Sequence, residues 1–146
     1  MSNVHELQLV NVIGHSAGAI IFGIFLYLLL RDRAVTRMRG SWLSVAAAGL
    51  AFLWNVGSLS ALIISTTSAP GAGLVTFFSF SVLSLLPAVL LHLSLEGGLE
   101  PIIASGYGLG AIAVGMHFWE LFHPEQRYHE HALLLITVGF AILTAE

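Results

Sequence analysis

LVNVIGHSAGAIIFGIFLYLLL occupies residues 9–30, and Arg31-Asp32-Arg33 follows at once. A run of about 20 mostly apolar residues is what a helix needs to cross the hydrocarbon of a bilayer. This run is long enough, and it holds one histidine, His15. The rest of the chain has the same character. Of the 146 residues 57% are hydrophobic and only 9% are charged, against about 25% charged in soluble domains. The mean hydropathy is +0.90. No Asp, Glu, Lys or Arg occurs between Gly40 and Leu95. So little charge cannot cover the surface of a soluble protein, so the solvent is lipid.

Four further apolar runs succeed the first. The spans are expected at roughly 9–30, 42–65, 74–95, 101–122 and 132–146, forming one transmembrane domain over residues 1–146. The punctuation is physical. Thr66-Thr67-Ser68-Ala69-Pro70-Gly71 reads as a turn, because Pro and Gly interrupt a helix. Glu96-Gly97-Gly98 stops the third run. Glu100-Pro101 opens the fourth, with proline in the first turn, where its missing N–H costs nothing. His123-Pro124-Glu125-Gln126-Arg127-Tyr128 is a polar loop. The fifth run, Ala132–Ala145, reaches only about 21 Å. It reads as a partial insertion or as part of a longer chain. The expected fold is therefore all-α, an integral membrane helical bundle of about five helices.

The charges orient it. Four of the five basic residues, Arg31, Arg33, Arg37 and Arg39, fall in the first connection. Positive loops stay cytoplasmic, which puts the N-terminus outside. The start, MSNVHELQLV, has no basic region of the kind a cleaved leader carries, so the first helix is expected to remain. The expected location is a bacterial inner membrane, multi-pass.

Composition also excludes chemistry. Without cysteine there is no disulfide, thiolate site or thiol catalysis. One short basic loop is too small for a nucleic-acid surface. No phosphate loop, nucleophile elbow or intramembrane carboxylate pair is present, and the middle third of each helix lacks the ionisable residue that a channel or pump path would need.

The seven histidines are the unusual inventory. His15 lies about six residues below the outer start of the first helix, and His117 about five from the outer end of the fourth. At 1.5 Å per residue both sit roughly 7–9 Å below the same surface. His117 shares a stripe with Gly106, Gly110 and Ala113, and His15 with Asn11, Gly18 and Ala19, so each lies beside small residues that allow close approach. His15 and His117 are thus the candidate cofactor-binding residues. Axial ligation of a haem b is one reading; a quinone or other small ligand is a second. An ordinary bond to a neighbouring helix is a third, and metal binding or pH sensing a fourth. His117, His123, His129 and His131, with Glu120, Glu125 and Glu130, cluster around the outer loop without a defined zinc spacing. His92, beside Pro87 in the third helix, lies at the other face. Pro87 is expected to bend that helix. Asn55 in the second helix needs a partner on another helix or a ligand.

LVNVIGHSAGAIIFGIFLYLLLRDRA, WLSVAAAGLAFLWNVGSLSALI and FSFSVLSLLPAVLLHLSL together resemble the N-terminal multi-helix membrane region of some bacterial sensor histidine kinases. The resemblance covers most of the chain. It implies an input domain that detects a ligand or state near the outer leaflet and relays it to a cytoplasmic signalling domain or to other membrane subunits. The kinase core is absent: there is no phosphoacceptor helix and no ATP-binding motif, so no catalytic activity is expected. Two alternatives stand beside it: a small b-type cytochrome or quinone-binding electron-transfer subunit, and a structural subunit of a larger membrane complex.

Overall fold

The computed structural model describes residues 2–36, 42–67, 71–95, 98–123 and 126–145. They form five helices: α1 (Ser2–Thr36), α2 (Trp42–Thr67), α3 (Ala72–Ser94), α4 (Glu100–Glu120) and α5 (Tyr128–Leu143). No strand occurs among the described residues. Four helices are long and apolar enough to cross a membrane, through Gln8–Asp32, Trp42–Ile64, Ala72–Ser94 and Glu100–Glu120. The fifth has 16 residues, about 24 Å, so it is shorter than a full span. The protein is a multi-pass helical membrane bundle.

The helix limits depart from the hydropathy limits for a simple reason. Arg31-Asp32-Arg33 ends the apolar run, yet contains no helix breaker, so α1 continues to Thr36. Its 35 residues extend about 52 Å, and its ends reach beyond a ~30 Å hydrocarbon core. True breaks use backbone chemistry. Gly71 precedes α3 at φ 102°, a left-handed conformation that only glycine adopts without cost. Leu99 and Arg127 take the same region, at φ 57° and 46°, at the entries to α4 and α5. Helix α3 runs unbroken through Pro87.

Successive helices pack on one another, α1 on α2, α2 on α3, α3 on α4 and α4 on α5, and α3 also touches α5. Among the described residues α1 meets no helix but α2. Its spanning segment has no buried residue, and Ile13, Ile20 and Ile21 are each about 60% exposed. In a bilayer that surface faces lipid. The α4–α5 contact centres on Ala113, Ala132 and Ile136, with Leu109, Met116 and Phe140 around them.

Small residues set the approach of these helices, as the sequence suggests, but not equally. In α4 both members of the Gly106/Gly110 pair are buried. A Cβ on Gly110 would stand 3.1 Å from the Ser84 carbonyl oxygen. Of the Gly14/Gly18 pair in α1, only Gly18 matters. A Cβ there would fall 2.3 Å from the Asn55 side chain, whereas Gly14 has open space. Asn55 is 8% exposed and its amide is committed at both ends, as described below, so it cannot move aside cheaply. Gly18→Ala is expected to destabilise the α1–α2 contact by about 1–3 kcal/mol, the usual cost of overpacking, and Gly14→Ala to change stability little. Thermal unfolding of the two variants in lipid nanodiscs checks this; equal midpoints would remove Asn55 as the reason for the glycine.

Candidate ligand site at one end of the bundle

The first half of α1, the second half of α2, the start of α3 and the end of α4 meet at one end of the molecule. In hydrocarbon an imidazole N–H must find an acceptor, because an unpaired polar group costs several kcal/mol there. His15 finds one across the α1–α2 contact. Its Nδ1–H donates to Asn55 Oδ1 at 3.2 Å. The Asn55 amide nitrogen in turn donates to the carbonyl of Ala51, one turn back, at 2.8 Å. That second bond decides which way the amide faces. Its oxygen accepts, so the neutral His15 ring carries its proton on Nδ1 and leaves Nε2 as a lone-pair acceptor.

His117 solves the same problem by a parallel route. It is 3% exposed, and its partner Ser84 is 1% exposed. The Ser84 hydroxyl donates to the Phe80 carbonyl, again one turn back, at 2.9 Å. Its single proton is thereby used, so in the 3.1 Å contact between Ser84 Oγ and His117 Nε2 the histidine donates. The proton sits on Nε2, and Nδ1 is the acceptor. The two rings thus hold opposite tautomers, each set by a side chain that bonds its own helix backbone.

Each histidine lines a cavity. One, about 350 Å3, lies between α1, α2 and α3 and includes Asn11, His15, Trp54, Ser58, Ser79 and Phe80. The other, about 270 Å3, lies between α3, α4 and α5 and includes Gly73, Phe77, Phe80, His117, Glu120 and His129. Thr76 and Phe80 line both. Phe80 stacks on His117 at 5.5 Å between centroids and meets Trp54 at 5.8 Å; Trp54 meets His15 edge-on at 5.8 Å. The two histidines therefore share one end of the bundle, but their rings are not placed against each other. Trp54 and Phe80 connect them, and among the described residues α1 does not touch α4. A porphyrin ligated by both would have to displace that aromatic pair. Bis-histidine haem ligation does not fit this arrangement.

The remaining histidines have separate duties. His129 donates its ring Nδ1–H (2.7 Å) and its backbone N–H (2.6 Å) to the two oxygens of Glu120, which ties the first turn of α5 to the end of α4. His123 stacks on Trp119 and its Nδ1 lies 3.4 Å from the Trp119 carbonyl oxygen. His131 is exposed on α5. Among the described residues no three His or carboxylate groups gather into a metal site; Glu125 lies outside them, and so does the side chain of His5. His92 bonds Tyr107 of α4 at 3.2 Å, away from both cavities.

Sequence reasoning missed the serines. Ser84 sits among several in FSFSVLSLLP, and only packing singles it out. The signal available was burial-compatible spacing: a serine can bond the carbonyl four residues back in a membrane helix, and Ser79 and Ser84 both do so. No protein-family model, curated protein or solved structure matches the chain.

Ser84→Ala leaves the His117 N–H without an acceptor and is expected to lower stability by about 1–3 kcal/mol. Removing both partners together, Ser84→Ala with His117→Phe, is expected to recover most of that loss, because the phenyl ring keeps the stack on Phe80 and strands no donor. A thermal double-mutant cycle measures it; purely additive losses would mean that the Ser84–His117 bond carries no energy.

Proposed function

We propose that the chain is the input domain of a bacterial inner-membrane sensor, which binds a small lipid-soluble ligand at the outer end of its bundle. The observation that carries this reading is the shared wall. Two mostly apolar cavities with a few polar groups lie on either side of Phe80 and Thr76, so an occupant of either presses on α3. The orientation comes from the arginines at the end of α1 and just after it, Arg31, Arg33, Arg37 and Arg39, placed in the cytoplasm by the positive-inside rule. The starts of α1 and α3 and the end of α4, with both cavities, then lie near the outer leaflet.

Mostly apolar clefts with a few convergent polar groups are the usual form of small-molecule sites, and each cavity has that composition. The relay follows from the backbone. Phe80 contributes a ring to the site and a carbonyl to the Ser84 bond, so its displacement is felt along α3 toward Ser84 and Pro87 and, through His117, in α4. The resemblance to histidine-kinase membrane regions supplies the output: a cytoplasmic signalling domain or companion membrane subunits, with no chemistry performed by this chain.

Thr76→Phe provides the test. Thr76 is exposed at the shared wall, so the larger ring is tolerated while filling both cavities. Native mass spectrometry of protein taken from bacterial membranes is expected to show a bound small amphiphile that the Thr76→Phe protein lacks. Equal loading of both proteins, or an empty wild-type protein, contradicts the assignment.

A further inference from the structure

The cavity between α1, α2 and α3 has an asymmetric demand for hydrogen bonds. The Asn55 bond holds the proton of the neutral His15 ring on Nδ1, so the polar group that this histidine has left to offer is a bare acceptor, Nε2. Across the same cavity Ser58 is 8% exposed, and its hydroxyl has no partner. Buried hydroxyls in native proteins are nearly always satisfied, so an orphan that lines a cavity points to something that fills it. Ser81 is the other buried hydroxyl without a partner among the described residues; it lines neither His cavity. The walls are aromatic, from Trp54 and Phe80, and the volume of about 350 Å3 lies at the small end of the 300–1,000 Å3 range of ligand sites.

We infer that this cavity binds an apolar ring bearing hydroxyl donors, of the hydroquinone or phenol class, with one ring O–H donated to His15 Nε2, an oxygen against the Ser58 hydroxyl, and the ring face against Trp54 and Phe80. The inference rests on the outer-end ligand reading above and narrows it. It also sets a selectivity. A hydroquinone has hydroxyl protons to give, whereas the corresponding quinone has only carbonyl acceptors, which would face the lone pair of His15. Ser58 can donate or accept and serves both forms. Discrimination between reduced and oxidised rings therefore falls on His15.

The test uses Trp54 fluorescence in a Trp42→Phe, Trp119→Phe background; both replaced residues are more than half exposed. Protein in phosphatidylcholine nanodiscs is titrated under argon with a short-tailed benzoquinone and, separately, with its hydroquinone. The hydroquinone is expected to bind about 3–10-fold more tightly, the ratio one neutral hydrogen bond provides. His15→Phe should bring the two affinities together while binding persists, and Ser58→Ala should weaken both forms alike. Equal affinities in the wild-type background, or tighter binding of the quinone, overturn the hydroxyl-donor assignment and leave the broader ligand reading standing. Loss of hydroquinone binding when phosphatidylglycerol is added would assign the acceptor to a lipid hydroxyl and overturn the ring. If neither ring binds while the extracted amphiphile still loads, this inference fails alone; if nothing loads, both fail.

Discussion

A buried donor in hydrocarbon must be given an acceptor, and at the end of this bundle that holds His15 and His117 that single constraint arranges everything else. His15 and His117 each hold one N–H where no water can serve it. Each hands it to a short side chain, Asn55 or Ser84, whose own proton returns to a carbonyl one turn earlier. The relay satisfies every polar atom on its path and leaves one nitrogen over on each ring. A membrane helix has no spare backbone acceptors in its interior, so the second bond to the i−4 carbonyl is shared with the helix ladder and costs little. The remaining nitrogen is what the protein can offer a ligand.

Phe80 is where the two relays meet. Its carbonyl closes one of them, its ring stacks on His117 and touches Trp54 and His129, and it lines both cavities. Small residues make the convergence possible. Gly57 leaves room for Ser79, whose Oγ would stand 2.3 Å from any Cβ at that position, and Gly110 lets α4 approach the Ser84 carbonyl. Among the described residues α1 rests on α2 alone, so α2 and α3 lie between His15 and α4. That makes α3 the element that both cavities share.

Most of the fold was legible in the sequence. Runs of apolar residues broken by Pro70-Gly71, Gly97-Gly98 and Pro124 gave the number and order of the helices, because those breaks reflect backbone chemistry that does not depend on packing. The ends were less legible. Arg31 marks where hydrocarbon stops, not where hydrogen bonding stops, so α1 outruns its apolar stretch, and α5 starts at Tyr128 instead of Ala132 for the same reason. The site was legible in part. Depth along two helices correctly brought His15 and His117 to one end of the bundle. Their mutual orientation depends on which helices lie between them, and no periodicity encodes that α2 and α3 intervene. Ser84 and Ser58 were invisible because a serine in a membrane helix usually bonds its own backbone, and only tertiary placement separates these two from the rest: Ser84 meets the His117 ring, and Ser58 lines the His15 cavity without a partner.

The central claim concerns protons, and nitrogen NMR reads them directly. Ring-15N spectra of histidine-labelled protein in lipid bilayers, assigned with His15→Phe and His117→Phe, should show opposite neutral tautomers: His15 protonated on Nδ1 and His117 on Nε2. Ser84→Ala should alter only the His117 pattern. The same tautomer at both sites, or rapid exchange between tautomers at either, would contradict the account.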